Sequence, residues 1–221
     1  MAASLLFLDI DGVLNSIQYY KRLDLQRRTN PEFIADANWS MRYRMIDPLA
    51  CEKLIHVIRE TNCEIVISST WRKSHDFIKD FRDNKMPEEI IEAIIGSTGE
   101  YWNLPHFKQE LKAKQKDERE TWYRGFEIAS WLLAYGEKRG VTNFAIVDDD
   151  GDMWTLKPNW IHTRNSVGLQ DHTAQKLIDM LNKDSSKLIN RIPDFMDVGT
   201  AVDPDECPTC GYSPYCLCDQ Q

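Results

Sequence analysis

Short apolar runs recur along the chain, and each of them ends in polar residues. Such runs are typical of strands buried on both faces of a parallel sheet. They predict strands at residues 4–9, 64–68 and 143–148, with a weaker fourth at 160–163. Between the runs, apolar residues recur with the period of an amphipathic helix. Strands that alternate with helices predict a three-layer α/β domain built on a mostly parallel sheet.

The predicted helices have recognisable starts. Asp47 followed by Pro48 is typical of a helix N-cap and first turn, and Asp171 is predicted to cap a later helix. A third apolar stripe, around Ile128, predicts a helix just before the third strand. These helices connect the strands as crossovers.

Two segments interrupt the alternation of strands and helices. Residues 15–46 and about 74–120 fit it poorly, and we interpret them as small insertions over the edge of the sheet. Near the end of the chain, helical and strand periods disappear. We therefore predict a main domain over residues 1–190 and a separate cysteine-rich tail over residues 191–221.

The polar residues at the ends of the apolar runs carry the candidate chemistry, because ligands of open parallel sheets bind at the carboxyl ends of strands. Carboxylates that converge there repel one another unless a hard cation neutralises them, and oxygen ligands suit magnesium. Arg124, just before a predicted helix, is a candidate for further positive charge. The strand-end residues are Asp9, Asp11, Gly12, Ser68, Ser69, Arg72, Asp148, Asp149, Asp150 and Asp152.

Each of these groups, taken singly, also has a purely structural interpretation. An Asp-Gly pair after a strand is most often a turn, and two serines commonly begin a loop. The acidic run 148–152 is compatible with a solvated loop or a partial calcium loop, although Asn159 stands where the full calcium pattern requires Glu. The conjunction of all groups in order, each after its own apolar run, favours a catalytic site.

With these groups in this order, residues 4–183 resemble the haloacid dehalogenase (HAD) superfamily of phosphohydrolases. The segment Asp9–Asn15 resembles its first motif, Ser68 its second, Arg124 its third and Asp148-Asp149 its fourth. The third motif is usually Lys, whereas Arg124 cannot deprotonate and offers a two-pronged fork in place of a point charge.

A finer resemblance concerns one branch of that superfamily. The segments 68–72, 124–132 and 147–150 are most similar to the HAD domains predicted in RNA-repair proteins. A HAD-like (Rossmannoid) α/β/α sheet is the fold that this resemblance implies.

The resemblance also implies catalytic roles. Asp9 would attack phosphorus to give an aspartyl-phosphate, while Asp11 would protonate the leaving oxygen and then activate water. Ser68 and a backbone amide beside it would hold a phosphate oxygen. Arg124, oriented by Asp148, would stabilise charge in the transition state.

Magnesium is the implied cofactor, held by Asp9, the backbone carbonyl of Asp11 and Asp149, with Asp148 in support. Arg72 is ambiguous between a phosphate contact and a surface ion pair. The candidates for phosphate or substrate binding are Gly12, Ser69 and Arg72.

The substrate prediction rests on the first insertion. Residues 15–46 contain six basic, three acidic and five aromatic residues. In HAD proteins an insertion here covers the active site, and a basic, aromatic cover suits a ligand with phosphate and stackable bases. The alternative is a solvated helix whose aromatic residues dock on the sheet. We expect a phosphorylated nucleotide or a nucleic-acid end as partner.

The tail carries a second candidate metal site. Four of the six cysteines lie within twelve residues, and their spacing predicts one structural zinc ion in a knuckle-like unit. Disulfide pairing is the alternative. The four cysteines are Cys207, Cys210, Cys216 and Cys218.

Composition and charge narrow the picture further. The chain is 42% hydrophobic and 28% charged, as compact globular chains are. Its net charge of −8 is uneven, since residues 194–221 hold six acidic residues and no Lys or Arg. No apolar run approaches the roughly 18 residues of a membrane span, so we expect a cytoplasmic protein that binds no membrane.

The sequence therefore predicts a magnesium-dependent HAD-type phosphatase of phosphoric monoesters. One alternative is a non-catalytic HAD-fold module that binds nucleic acid or protein, against which the presence of Asp9 and Asp11 argues. Another is a HAD phosphatase of a small-molecule phosphate such as a sugar phosphate.

Overall fold

The computed structural model describes residues 3–29, 45–99, 123–183 and 189–190. The predicted cysteine-rich tail, with its four candidate zinc ligands, lies outside these residues. So do residues 30–44 and 100–122 of the two predicted insertions.

Five parallel strands form one sheet. Their order is β3-β2-β1-β4-β5, so the chain builds outward from β1 to β3 and then returns to the other side of β1. The direction of winding reverses between β1 and β4, which in open α/β sheets is where ligands bind. The strands are β1 (Ala3–Leu8), β2 (Glu64–Ile67), β3 (Ile94–Ser97), β4 (Val141–Asp148) and β5 (Trp160–His162).

Helices connect and cover the strands. None of the helices in the described ranges combines the length and apolar content that crossing a bilayer requires. Short 3₁₀ turns lie at Thr70–Lys73 and Trp154–Asn159, and a π turn, Leu132–Gly136, continues the fifth helix. The helices are α1 (Ile17–Thr29), α2 (Pro48–Thr61), α3 (Phe77–Asp83), α4 (Glu88–Ala93), α5 (Tyr123–Trp131) and α6 (Asp171–Leu181).

One of the two predicted caps is confirmed. The Asp47 carboxylate accepts a hydrogen bond from the amide of Leu49, and α2 begins at the following proline. The prediction for Asp171 is wrong, because Asp171 is the first residue of α6 and Gln170 occupies the cap position. An acidic residue in the first turn still interacts favourably with the helix dipole.

The alternation of side chains along β1 divides the core into two layers. Leu6 and Leu8 pack with α2, α3, α4 and α6 on one face of the sheet, while Leu5 and Phe7 pack with α5 on the other. Both sets are fully buried. The predicted three-layer α/β fold with a parallel sheet is confirmed for the described residues.

The edge strand β3 differs from the sequence prediction. We interpreted about 74–120 as an insertion over the edge of the sheet, but residues 77–97 form α3, α4 and β3, which pairs with β2. The strand follows α4 without a loop and is only four residues long, with Gly96 inside it. A short apolar stretch of this kind cannot be distinguished from the end of a helix by its periodicity.

Candidate active site

Three polar side chains from neighbouring strands meet at the carboxyl edge of the sheet. The sheet hydrogen bonds continue to Asp9 and Ser68, whose amides donate to the adjacent strands over 3.1 and 2.9 Å. Asp9, Ser68 and Asp148 each lie two positions after a residue of the layer that faces α5, and side chains two positions apart on a strand share a face. Their side chains therefore lie on that side of the sheet. All three are buried.

Arg124 on α5 faces this group of side chains. Its Nη2 lies 3.8 Å from Asp9 Oδ1, and its Nε lies 3.4 Å from Asp148 Oδ2. Its Nη1 lies 3.7 Å from Glu127 Oε2 on the same helix. Each nitrogen of the guanidinium therefore faces a different carboxylate. These three distances are longer than those of N–H···O hydrogen bonds. The carboxylates therefore orient the Arg124 guanidinium through their charge.

A glycine lets α5 approach the site closely. The amides of Arg124 and Gly125 donate to Asp152, to its carboxylate at 3.1 Å and to its carbonyl at 3.0 Å. A Cβ on Gly125 would lie 2.3 Å from the backbone carbonyl of Met153. Only glycine fits this contact without movement of the backbone, and it brings Arg124 to the sheet.

The carboxylates of Asp9, Asp148 and Asp149 form the candidate metal centre. One oxygen from each lies within 4.8 Å of the others. Burial raises the pKa of Asp9 to about 7, against the opposing charge of Arg124 and a hydrogen bond with Ser69. Burial and then the charge of Asp9 raise the pKa of Asp148 to about 8.

The three carboxylates lie close together, so their charges repel, and burial disfavours the ionised forms of Asp9 and Asp148. A divalent cation removes that repulsion, and a set of carboxylate oxygens is the donor set that magnesium prefers. Asp148 Oδ2 is buried and accepts no hydrogen bond within the described residues. The residues present therefore fit magnesium. The predicted cluster of Asp9, Asp148 and Asp149 comes together as expected.

Asp11 lies apart from that cluster and faces outward. Its Oδ1 accepts a hydrogen bond from Asn15 Nδ2 at 2.8 Å, and its Oδ2 accepts one from Trp71 Nε1 at 3.0 Å. Asn15 Oδ1 in turn accepts from the amide of Gly12 at 2.9 Å. Gly12 has φ +71°, and a Cβ there would lie 2.2 Å from Asp149 Oδ2. The glycine thus keeps the turn tight against the metal centre.

A cavity of about 700 Å³ opens beside Asp11. Ile17 and Tyr20 of α1 line one part of it, and Trp71 and Lys73 line another. Fully buried Phe81 packs against Trp71 with 5.8 Å between the ring centroids and a tilt of 31°. The cavity is therefore lined mostly by polar residues, with two aromatic side chains, and one of these, the indole of Trp71, is packed next to the Asp11 carboxylate.

Residues 5–174 match the family described as the HAD domain in Swiss Army Knife RNA repair proteins. The chain belongs to this HAD family. Comparison with curated proteins and with solved structures gave no match. The match confirms the predicted resemblance to the HAD superfamily and to its RNA-repair branch.

In this HAD domain the residues of the four motifs lie together at the switch point of the sheet. Ser68 Oγ is buried, with no hydrogen-bond partner among the described residues. The Ser69 side chain accepts a hydrogen bond from the amide of Trp71 at 3.4 Å and also bonds to Asp9. Ser69 thus connects the second motif to the first.

Arg72 forms a buried ion pair with Glu127. Its guanidinium is buried, and its Nη2 donates to both carboxylate oxygens of Glu127 at 2.8 Å. Its Nη1 donates to the carbonyls of Ser68 and Ser69 at 2.9 and 2.7 Å. The predicted alternative of an ion pair is therefore right in kind, but the pair is buried and not at the surface. A phosphate contact of Arg72 stays a prediction.

Sequence reasoning gave no individual role to Trp71, Glu127 and Asn15, and it named Asp152 only as one of the strand-end carboxylates. Glu127 follows Arg124 at a helical spacing of three, which is a usable signal because residues at this spacing share a helix face. The contact between Trp71 and Asp11 joins residues 60 positions apart. A single sequence carries no signal for such a contact.

Proposed function

We propose that this HAD domain is a magnesium-dependent phosphohydrolase of phosphoric monoesters that acts through an aspartyl-phosphate on Asp9. The observation that carries the proposal is the position of the Asp9 carboxylate, which forms a cluster with Asp148 and Asp149 and lies 3.8 Å from the Arg124 guanidinium. Arg124 stabilises an anion in that position, and a magnesium ion bound by the cluster would stabilise it further. Membership of the HAD superfamily supports the same chemistry.

The chemistry divides hydrolysis into two steps. An oxygen of Asp9 attacks phosphorus, the bond from phosphorus to the leaving oxygen breaks, and Asp11 gives that oxygen a proton. Asp11 then takes a proton from water, whose oxygen attacks phosphorus and releases inorganic phosphate and free Asp9. Ser68 Oγ and the Arg124 guanidinium stabilise the phosphoryl oxygens in both steps.

Asp9 and Asp149 are the proposed side-chain ligands of magnesium, together with the backbone carbonyl of Asp11 and support from Asp148. When bound, the metal would offset the repulsion between the anionic nucleophile and the anionic phosphate. The remaining work belongs to the protein, which holds Asp9 buried and keeps Asp11 oriented beside the cavity through Asn15 and Trp71.

We further propose that the substrate is a phosphorylated nucleotide or a nucleic-acid end. The cavity beside Asp11 lies where the leaving group must sit, and Trp71 and Tyr20 in its walls suit a stacked base. The family's description as part of RNA repair proteins points the same way. Fold and motifs alone do not fix a substrate, so a sugar phosphate is the competing candidate.

Phosphate release measured with an aryl phosphate and magnesium tests the reaction. Wild type should be active and Asp9→Asn inactive, while Asp179→Asn, on the exposed face of α6, should match wild type. Equal rates for wild type and Asp9→Asn would end the assignment of the nucleophile. That result is the expectation for the alternative function, a non-catalytic binding module.

A substrate panel tests the leaving group. It compares oligonucleotides with a 5′- or 3′-phosphate, nucleoside monophosphates and sugar phosphates by kcat/KM. Nucleotide substrates should be preferred. A large preference for sugar phosphates would contradict the nucleotide proposal while leaving the role of Asp9 intact.

The tail, residues 191–221, is proposed to bind one zinc ion through Cys207, Cys210, Cys216 and Cys218. Thiolates at this spacing suit a tetrahedral structural site. Elemental analysis of protein purified under reducing conditions should find one zinc per chain, lost when Cys207 and Cys210 are both replaced by serine. Absence of zinc, or pairing of these cysteines as disulfides, would contradict the proposal.

A further inference from the structure

We propose that Arg72 and Glu127 form a buried brace that positions Arg124 at the phosphate site. The brace joins the end of β2, where Ser68 and Ser69 lie, to the helix α5 that carries Arg124. Its effect on activity rests on the proposed function, whereas its effect on the orientation of Arg124 can be measured without any substrate.

The first step of the argument is the strength of the contact between Arg72 and Glu127. Both carboxylate oxygens of Glu127 accept from Arg72 Nη2 at 2.8 Å, and the two side chains are only 5% and 6% exposed. The other terminal nitrogen of Arg72, Nη1, donates to the carbonyls of Ser68 and Ser69. Glu127 is therefore tied to the strand end and not only to its own helix.

The second step is the contact between Glu127 and Arg124. Glu127 Oε2 lies 3.7 Å from Arg124 Nη1, so one carboxylate stands between two guanidinium groups. Without this negative charge, Arg72 and Arg124 would face each other in a buried region and repel. Arg124 also has a long side chain that loses considerable rotamer entropy when held in one orientation. The brace supplies a fixed anion on the side of the fork that Asp9 and Asp148 do not reach.

The third step is that a contribution to stability does not by itself account for the buried pair of Arg72 and Glu127. A buried ion pair contributes little net stability compared with apolar residues of similar size, because removing both charges from water is costly. Here the pair contacts the phosphate-binding segment at one end and the third-motif arginine at the other. The role of a pair in that position is to fix the orientation of Arg124.

The chain offers a matched control for this pair. Arg59 and Glu89 also form an Arg–Glu contact, from Nε and Nη2 to the two carboxylate oxygens at 2.7 and 2.6 Å, between α2 and α4 on the exposed surface. Glu89→Gln removes one carboxylate from an Arg–Glu pair away from the site, as Glu127→Gln does beside it. It should leave both the orientation of Arg124 and activity unchanged.

The direct measurement is the arginine Nε–H region of a ¹H–¹⁵N spectrum. The Arg124 resonance is identified by its loss in Arg124→Lys. In Glu127→Gln it should shift or broaden, whereas in Glu89→Gln it should stay at the wild-type position. An unchanged Arg124 resonance in folded Glu127→Gln overturns the brace, whether or not the protein hydrolyses phosphate.

Activity supplies a second, independent measurement. Loss of residues that orient the groups at a metal site typically lowers activity about 10- to 100-fold, and we expect this range for kcat/KM of Glu127→Gln. If Glu127 acts through Arg124, the same change made in Arg124→Ala should cause little further loss. Independent losses that multiply in the double variant would show a role outside Arg124 and would overturn the proposal.

A double variant keeps the test usable if Glu127→Gln fails to fold with Arg72 left unpaired. Arg72→Met combined with Glu127→Leu removes both charges together, which buried pairs commonly tolerate. It should fold, with the Arg124 resonance displaced and kcat/KM reduced. If wild type releases no phosphate but the resonance moves as expected, the brace stands and the proposed phosphohydrolase function fails.

Discussion

At the scale of single residues, the identity of position 124 follows from its neighbours. Three nitrogen atoms of one guanidinium face Asp9, Asp148 and Glu127. A lysine carries its charge on a single atom and cannot face all three groups at such distances. The surroundings of this position are therefore matched to arginine, although the third HAD motif is usually lysine.

This leads to a prediction for Arg124→Lys. The variant keeps the positive charge but gives up the fork, so we expect kcat/KM to fall at least about tenfold. Steady-state kinetics with the aryl phosphate measures the effect. Arg139→Lys, at a partly exposed contact with Glu64, is the control and should match wild type. Full activity of Arg124→Lys would show that charge alone suffices.

A second prediction at this scale concerns Gly12→Ala. The added Cβ would overlap the carboxylate of Asp149 at 2.2 Å, so Asp149 must move and the proposed magnesium site should change with it. We expect the affinity for magnesium, measured by calorimetry, to fall by about 10- to 100-fold.

The control for Gly12→Ala is Gly168→Ala. Gly168 has a similar positive φ of +69°, but its Cβ would meet Val13 and not Asp149. This variant should lose stability through the same backbone strain and keep its magnesium affinity. Equal effects of both substitutions on magnesium affinity would mean that strain, and not the position of Asp149, controls the site.

The candidate site could be predicted from the sequence only where local pattern determines position. Asp9, Ser68 and Asp148 were accessible because each follows an apolar run, and parallel strands bring their carboxyl ends together. The contacts of Trp71 with Asp11 and of Arg72 with Glu127 span 60 and 55 positions. These contacts form only when the 3₁₀ turn Thr70–Lys73 packs against α5 and against the loop that follows β1.

At the scale of elements, the docking of α5 decides where Arg124 lies. The helix is held to the segment after β4 by the two hydrogen bonds to Asp152, and Gly125 permits the short distance to Met153. The side chains of Ile128 and Trp131 on α5 are also buried against the sheet. The position of the functional group thus depends on one close backbone contact at the end of a well-packed helix.

We predict that Gly125→Ala disturbs both stability and activity. Its Cβ would lie 2.3 Å from backbone atoms, which cannot rotate away, and overpacking of this kind typically destabilises by about 1–3 kcal/mol. Urea unfolding measures the loss, and kcat/KM should fall as well because Arg124 moves with the helix. In Gly136→Ala the new Cβ has no neighbour closer than 4.0 Å, so this control should be tolerated.

The same scale shows why most of the fold could be predicted and one strand could not. The apolar runs of β1, β2 and β4 are bounded by polar residues, and the stripe of α2 follows a clear cap. β3 begins immediately after α4, with no turn residue between them. Its pairing with β2 is a tertiary interaction that local sequence does not encode.

At the scale of the whole molecule, the reversal of winding between β1 and β4 concentrates acidic groups in a buried place. Two apolar layers stabilise the sheet from both faces, and the carboxylates lie at its carboxyl edge between them. Such a concentration of like charge opposes folding unless protons or a cation neutralise it. The stability of the HAD domain should therefore depend on pH and on magnesium together.

The sign of the pH effect follows from the direction of the pKa shifts. In the metal-free folded protein Asp9 and Asp148 have pKa values of about 7 and 8, against an ordinary value of 3.8. Burial raises the pKa values of Asp149 and Asp152 as well. Between about pH 4 and pH 8 the folded state therefore binds more protons than the unfolded chain, and the free energy of unfolding falls as pH rises.

Magnesium should reverse this loss, because it binds the ionised carboxylates of the folded state and competes with protons for them. We predict that, with a chelator, Tm is lower at about pH 8 than at about pH 5.5, and that magnesium raises Tm more at the higher pH. Asp148→Asn removes one raised carboxyl and should flatten the pH dependence, while Asp179→Asn, on the exposed face of α6, should preserve it. A metal-free Tm that rises over this pH interval would contradict the coupling, and so would a magnesium effect of equal size at both pH values. A site that binds protons and magnesium at the same carboxylates cannot respond to one independently of the other.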